Sequence, residues 1–231
     1  MYIFFQFVLV FFLGCNNPII GEKTPNIPKS TSKSIQYSTT KGNAVTSVEL
    51  ENGKSFAIKT GVSAATTSAS GSLLERYKKL GTQPEMVIAL WLEASIRAQM
   101  GQEEGWKALG EMTLWTGERL KDLKEWKSHH STFYFVKAIN EKNPAFRSFV
   151  VGADPDNKYE IDLNDIKIDV DRYGGKEAHG HKFFIHSSGS AMPRPISLKV
   201  SSKTGYFLVN EYSSMYVDVQ APADPDKEEF E

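Results

Sequence analysis

The spacing of apolar residues along the first half of the chain predicts helices. Apolar side chains recur every three or four residues between Thr82 and Gly101, which is the period of an amphipathic helix. Shorter runs with the same spacing cover residues 73–80, 102–112 and 117–126. The segment 131–140 fits a fifth helix or a strand, because the stretch near its start is apolar throughout and shows no period.

From residue 166 onward the pattern changes to that of short strands. Apolar and polar residues tend to alternate, as expected of strands that bury one face. Because helices come first and strands follow, the order predicts an α+β fold in which N-terminal helices pack on a C-terminal antiparallel β-meander. We expect a curved sheet crossed by helices, as in cystatin-like or NTF2-like cones. The predicted strands are Ile166–Val170, His181–His186, Ile196–Val200, Tyr206–Asn210 and Met215–Val219.

A β-hairpin is predicted ahead of the helices. Apolar residues alternate with other residues on both sides of Asn52-Gly53, a dipeptide that supplies the positive φ angles of a type I′ turn. A stretch rich in Ser, Thr and Ala separates this hairpin from the first helix and is typical of a linker. The pattern divides this part of the chain into a hairpin segment (35–60), a linker (61–71), a globular α+β domain (72–222) and an acidic tail (223–231).

The first residues of the chain predict export. Residues 3–13 are apolar except for Gln6, a run too short for a transmembrane helix of about 20 residues but suited to a secretory signal peptide. The run ends in Phe12-Leu13-Gly14-Cys15, which resembles a bacterial lipobox, the motif whose cysteine receives lipid and becomes the new N-terminus. We expect residues 1–14 to be a signal peptide and the Pro-, Lys- and Ser-rich segment 15–34 to be a flexible tether.

Cysteine usage supports this interpretation. Cys15 is the only cysteine in 231 residues, so no disulfide can form within the chain, and a lone thiol in an exported protein needs an explanation. Acyl chains such as palmitate attached at Cys15 supply one, and two chains suffice for stable anchoring. We therefore expect a lipid-anchored protein of the bacterial cell envelope, at the outer rather than the inner membrane. The alternatives are a cleaved signal peptide that leaves an unmodified cysteine, and a short uncleaved anchor.

Composition and motifs exclude several partners and reactions. The net charge of −1 gives no basic field for nucleic acid, so nucleic acid is not an expected partner. The sequence contains no Gly-x-Ser-x-Gly motif of a hydrolase. Gly53-Lys54-Ser55 matches only the end of a phosphate-binding loop and lies in a predicted hairpin, so no nucleotide or other cofactor is predicted.

Three segments of the second half carry a resemblance when they are taken together. They are Arg147–Tyr159 (RSFVVGADPDNKY), Ser187–Pro195 (SSGSAMPRP) and Asn210–Ser214 (NEYSS). In this order and spacing they resemble the motifs of a bacterial domain of unknown function, over about residues 75–222. At Ser190–Met192 the chain departs from the family pattern, which has Ala-Asp-Ser there, so an acidic residue is missing. The resemblance implies candidate sites but no activity.

The segment around Arg194 is the main candidate for ligand binding. Prolines on both sides of Arg194 restrict the backbone and hold the guanidinium at the entry to a predicted strand. Backbone N–H groups of the upstream Ser and Gly residues could form an anion-binding nest, which would suit a small anionic or carbohydrate ligand. Alternatively, Arg194 pairs with a nearby carboxylate and fixes the loop. The candidate ligand-binding residues are Arg194, Ser187, Ser188, Gly189, Arg147 and Tyr159.

Two clusters of metal-binding residue types carry weaker hypotheses. His179 and His181 could share one strand face and ligate zinc together with His186, but they flank a glycine near a predicted turn. The acidic run 154–165 suggests calcium, yet Tyr159 stands where an EF-hand needs glycine. No metal site is therefore predicted, and the three histidines remain weak candidates.

The functional expectation follows from the predicted anchor, spacer and domain. Because no catalytic constellation is recognisable, we expect a membrane-tethered envelope lipoprotein that binds a ligand or an envelope protein. The alternative is an envelope enzyme whose pocket lies between the helices and the concave face of the sheet. Groups with perturbed pKa values in a deep pocket would favour the enzyme.

Overall fold

The computed structural model describes residues 44–49, 55–60, 62–66, 70–114, 132–217 and 219–224. Among these residues, no helix is both long enough and apolar enough to cross a membrane. Several predictions lie outside the described residues: the signal peptide 1–14, Cys15, the tether 15–34, the helix 117–126, and residues 225–231 of the acidic tail.

Four α-helices form one part of the described structure: α1 (Leu73–Leu80), α2 (Pro84–Gln99), α3 (Glu103–Met112) and α4 (Phe133–Asn140). The helix α4 settles the open assignment of segment 131–140 in favour of a helix. It buries Phe135, Val136 and Ile139 while Phe133 and Tyr134 remain exposed, so one face is apolar and packed. Two 3₁₀ helices, η1 (Pro144–Phe149) and η2 (Ser213–Tyr216), complete the helical elements that the structure describes.

Local sequence explains where these helices begin. Ser72 and Glu75 form a capping box at the start of α1, in which each side chain is bonded to the backbone N–H of the other residue. Pro84 occupies the first turn of α2, where a missing N–H costs no helical hydrogen bond. Asn143 caps η1 by accepting a hydrogen bond from the N–H of Ala145 at 2.8 Å.

The strands form two antiparallel sheets. Strands β1 (Ala44–Glu49) and β2 (Ser55–Thr60) pair with each other, with Val48 opposite Phe56, and confirm the predicted hairpin. The second sheet has five strands in the order β3-β4-β5-β6-β7, every neighbouring pair antiparallel, which confirms the predicted meander and the α+β class. Its strands are β3 (Val62–Ala65), β4 (Lys167–Glu177), β5 (Gly180–Ile185), β6 (Arg194–Val200) and β7 (Phe207–Glu211).

Two segments differ from the sequence prediction. Strand β3 lies inside the predicted linker 61–71, where it pairs with the edge of β4 and buries Ala64. Its small side chains carry no hydrophobic period, so only the long-range pairing makes it a strand. The predicted strand Met215–Val219 is also wrong: the chain forms η2 there, which buries Met215 in the core and leaves Val217 exposed.

Helix α2 is the centre of the molecule. All of its residues except Arg97 are buried, so it is covered on every side, as expected of an internal helix. Gly105 lets α3 approach α2 closely, because a Cβ at this position would lie 2.5 Å from the Ala94 oxygen and the Ala98 nitrogen. The close contact of α2 and α3 therefore depends on the absence of a side chain at Gly105.

The space between α2 and the sheet is filled by side chains. Trp91 of α2 is fully buried among the rings of Phe135, Phe146 and Tyr212, at centroid distances of 5.6, 6.3 and 5.3 Å. Its indole N–H donates to the Thr113 hydroxyl at 3.1 Å. Across from the helices, the sheet contributes fully buried residues that close the core: Ile168, Val170, Phe183, Ile185, Ile196 and Leu198.

A buried charge lies in the middle of α2. Glu93 is fully buried, and its carboxylate accepts hydrogen bonds from the guanidinium of Arg76 at 2.6 and 2.8 Å and from the Nε of Arg97 at 2.8 Å. Arg76 also donates to the backbone oxygen of Thr66, just after β3, at 3.1 Å. Burial alone would raise the pKa of Glu93, but the two arginines outweigh it and hold this pKa below its ordinary value.

Replacing Glu93 by Gln is expected to destabilise the protein by about 3 kcal/mol, because it leaves two partly or fully buried guanidinium groups without their counter-charge. The matched control is Glu103→Gln in α3. Glu103 also pairs with a cation four residues along its helix, Lys107 at 3.1 Å, but both side chains are exposed, so little stability should be lost. Urea denaturation of both variants measures the difference; equal effects would show that the Glu93 cluster does not stabilise the fold.

Candidate functional site

The three motif segments of the second half meet in space. Ser148 in η1 and Ser187 after β5 are both buried, and their hydroxyl groups are 2.8 Å apart, although 39 residues separate them in sequence. The N–H and the hydroxyl of Ser188 both donate to the backbone oxygen of Ser148, at 2.8 and 3.1 Å. The motif serines therefore join the loop after β5 to η1.

Gly189 is the point at which this loop meets the C-terminal segment. A Cβ on Gly189 would overlap the hydroxyl of Tyr159 and would lie 2.7 Å from the Cβ of Val219. The oxygen of Gly189 accepts a hydrogen bond from the N–H of Gln220 at 2.9 Å, and the Tyr159 hydroxyl donates to the Gln220 oxygen at 2.7 Å. Because both backbone groups of Gln220 are bonded, residues 219–220 are held against the loop.

The turn at residues 154–157 positions Tyr159 against Gly189 and Gln220. Asp154 and Asn157 bond each other reciprocally, each side chain accepting from the other's N–H at 2.8 and 3.0 Å. Lys158 and Tyr159 then adopt a φ of 57°, a left-handed conformation that only a well-anchored turn holds for such residues. The Tyr159 side chain is fully buried, and burial together with Asp154 raises its pKa.

Arg194 also bonds within this region. Its Nε donates to the Ser190 hydroxyl at 3.1 Å and its Nη1 to the backbone oxygen of Ser214 at 3.3 Å, so the guanidinium links the loop before β6 to η2. The N–H of Ser190 donates to the backbone oxygen of Ser187, and the N–H of Ser188 donates to the backbone oxygen of Ser148. An anion at the predicted nest would have to compete with these internal bonds.

The predicted ligand-binding residues are thus brought together in part. Ser187, Ser188, Gly189 and Tyr159 lie in one tightly bonded contact, and Arg194 is connected to it through its own loop. Arg147 lies in η1 beside Ser148, partly buried, with no bonding partner for its Nε among the described residues. Their contacts explain the motif as packing, and ligand binding by these six residues stays a prediction.

The three candidate histidines do not come together. His181 is buried, stacks on Tyr173 and bonds the Tyr173 hydroxyl through its Nδ1 at 2.9 Å. His179 and His186 are exposed, near opposite ends of β5. Among the described residues, no three His, Cys, Asp or Glu side chains are grouped as a metal site requires. Burial, assisted by the nearby Lys176, lowers the pKa of His181.

Two adjoining clefts lie along α4. The first, of about 360 Å³, is formed where the end of α2, the start of α3 and α4 meet, and the second, of about 350 Å³, is formed by α4 and the residue after it. Asn140 lines both. The linings are Ala98, Gln99, Gly101, Glu103, Trp106, Ile139 and Asn140 in the first cleft, and Phe133, Val136, Lys137, Asn140 and Glu141 in the second.

Sequence reasoning did not select these clefts. Trp91 is fully buried in the core, whereas Trp106 packs against the core only in part and also lines the first cleft. Trp115 and Trp126 lie outside the described residues. Gln99 is one of several polar residues in α2, and nothing in the sequence shows that it lies beside a cleft.

Comparison with known proteins gives one match. Residues 68–223 match the family model of a Domain of unknown function (DUF6935). No curated protein and no solved structure matches the chain. The matched range begins just before α1 and ends after the contact of Gln220 with Gly189, so it contains the helices, four strands of the larger sheet and all three motif segments.

Gly189→Ala is expected to lower the free energy of unfolding by about 1–3 kcal/mol, because the added methyl group overlaps Tyr159 and Val219. It should also speed hydrogen exchange at the amide of Gln220. Ala191→Ser is the control, since it adds one heavy atom at an exposed position of the same loop. Unchanged exchange at Gln220 in Gly189→Ala would contradict the close packing at Gly189.

Because His181 is buried with a lowered pKa, we expect the free energy of unfolding of the protein to fall in weak acid. Its folded pKa is lowered, so the unfolded chain takes up a proton near pH 6.5 while the folded protein does so only at lower pH. The stability contributed by neutral His181 is therefore complete above about pH 6.5 and is lost as the pH falls from there through the folded pKa. Denaturation between pH 7.5 and 5 should show a smaller pH dependence for His181→Phe than for the control His186→Phe. If the free energy of unfolding changed equally with pH in the two variants, the assigned role of His181 would be wrong.

Proposed function

The chain belongs to the DUF6935 family, a domain of unknown function, and from this premise we propose that it is a lipid-tethered module of the bacterial cell envelope that binds a ligand. The observation that carries the binding role is the pair of adjoining clefts along α4. Their volumes fall in the range of small-molecule sites, and their linings mix apolar side chains with a few polar ones, as binding pockets do.

The electrostatics of the described residues favour binding over catalysis. An acid–base catalyst needs a shifted pKa and access to the substrate. Glu93 and His181 have lowered pKa values. Both side chains are buried in the core and hydrogen-bonded to other side chains, so a substrate cannot reach them. The charged residues of the second cleft, Lys137 and Glu141, form an exposed pair 3.8 Å apart.

The alternative enzyme hypothesis placed a pocket between the helices and the sheet. In that space Trp91 and its aromatic neighbours pack against fully buried aliphatic residues of the strands. A substrate could enter only by displacing these side chains. The clefts along α4 are lined by residues of the helices and of the turns that follow them, and they are open to solvent, so they are the more accessible candidates.

Support for the tether comes from the sequence. The apolar run before Cys15 has the length of a signal peptide, Cys15 follows a small residue as in a lipobox, and it is the only cysteine in the chain. The predicted tether, residues 15–34, is rich in Pro, Lys, Ser and Thr, which is the composition of a spacer.

Cys15→Ser is expected to abolish labelling with radioactive palmitate and to shift the protein from the membrane to the soluble fraction of bacterial cells, because no other cysteine can take the lipid. Phe12→Leu is the control, since it alters the same motif towards the usual lipobox and should leave labelling intact. Membrane association that survives in Cys15→Ser would refute the lipid anchor.

A further inference from the structure

Residues 219–224, which we call the C-terminal strap, are held on the domain mainly by their backbone. The N–H of Gln220 donates to the backbone oxygen of Gly189 at 2.9 Å. The hydroxyl of Tyr159 donates to the backbone oxygen of Gln220 at 2.7 Å. Both bonds use groups that every residue except proline carries, so this part of the contact recognises an extended backbone rather than a particular side chain.

A third backbone bond holds the end of the strap. The N–H of Ala223 donates to the backbone oxygen of Pro155 at 2.8 Å. The surface under the strap thus offers an acceptor and a donor at the position of Gln220, and a second acceptor three residues further on. This arrangement resembles the way in which peptide-binding surfaces hold an extended segment, where main-chain bonds supply affinity and side-chain contacts supply selectivity.

The side chains of the strap contribute little to its attachment. Val219 is partly buried, and its Cβ would lie 2.7 Å from a Cβ added at Gly189, so the glycine leaves the room that this valine occupies. Residues 220–224 are all exposed. Since a whole segment must be ordered for a few backbone bonds and one partly buried side chain, we expect the strap to open far more often than the domain unfolds.

The end of the strap brings acidic residues towards one another. Asp224 follows Ala223 and Asp156 follows Pro155, so the bond between Ala223 and Pro155 places two exposed acidic residues at the same point of the surface. The chain after Asp224 adds further acidic residues. Repulsion between like charges opposes closure of the strap here, whereas a peptide with a basic residue at this position would be attracted.

We infer that the strap is an internal ligand of a peptide-binding surface formed by Gly189, Tyr159 and Pro155. When the strap is released, this surface binds an extended peptide of another protein. That peptide has a small apolar residue beside Gly189 and a Lys or Arg at the position of Asp224. The sheet stays folded while the two segments exchange. This peptide site depends neither on the lipid anchor nor on the clefts along α4.

The test titrates the full chain, purified in detergent, into fluorescein-labelled peptides that copy residues 217–224, with binding followed by fluorescence anisotropy. One peptide keeps the natural sequence and one carries Asp224→Lys. A third adds Gln220→Pro to Asp224→Lys, which removes the N–H that Gly189 accepts. We expect the Asp224→Lys peptide to bind about tenfold more tightly than the natural one at low salt. This advantage should shrink in about 1 M sodium chloride, where the screening length is about 3 Å, and the third peptide should not bind.

Variants of the chain show whether the strap competes with the peptide. Val219→Gly removes the one partly buried side chain of the strap and should strengthen binding of the Asp224→Lys peptide relative to the wild type. Val217→Gly, which removes an exposed valine just before the strap, is the matched control and should bind like the wild type. If Val219→Gly does not fold, Ala223→Pro replaces it, because it removes the N–H that donates to Pro155 from an exposed residue.

Hydrogen exchange measures the release of the strap directly. We expect the amides of Gln220 and Ala223 to exchange together, and faster than the slowest amides of β5, because one opening event frees both. Three results would overturn the peptide site: no saturable binding of the Asp224→Lys peptide to the strap variants, equal binding of all three peptides, or strap amides that exchange as slowly as those of β5.

Discussion

The rest of the fold depends on the ion cluster inside α2. Once this helix is buried on every side, Glu93 has no access to water and requires charged partners within the protein. Arg76 comes from α1, Arg97 from the next turn of α2, and Arg76 in addition bonds the backbone at Thr66, directly after β3. A single buried carboxylate thus fixes the position of α1 and of the edge strand β3 relative to the central helix.

A second set of contacts holds the C-terminal half together and joins the three segments that carry the resemblance. Ser148 and Ser187 connect η1 to the loop after β5, and Gly189 leaves room for Tyr159, which in turn bonds Gln220. Serine hydroxyls that bond each other in a buried contact, and a glycine against which a ring packs, tolerate little substitution. These segments therefore pack on one another, and ligand binding by their residues stays a prediction beside the binding that we propose along α4.

Much of the fold could be predicted from the sequence, because the period of apolar residues follows directly from burial of one face. This rule found α1, α3 and strands β4 to β7, and it also located α2, which is buried on every side rather than on one face. It missed β3, because this short run of small residues becomes a strand only by pairing with β4. It also predicted a strand at Met215–Val219, where the chain after β7 forms the 3₁₀ helix η2 instead. The candidate site was harder. The first cleft is lined by residues about 40 positions apart in the sequence, such as Gln99 and Ile139, and no local pattern reports such contacts.

The proposed tether and the proposed ligand site along α4 are consistent in their energetics. A cleft of this size that is open to solvent and offers few hydrogen bonds binds a small ligand weakly, since association costs several kcal/mol of lost translational and rotational freedom. Confinement lowers the affinity that is needed. If lipid holds Cys15 at the membrane, the predicted spacer 15–34 has an average reach of about 25 Å, and short flexible linkers give effective concentrations near the millimolar range. A weak site is therefore sufficient for a ligand that lies within reach of the same membrane, whereas the same affinity in a freely diffusing protein would leave the cleft mostly empty.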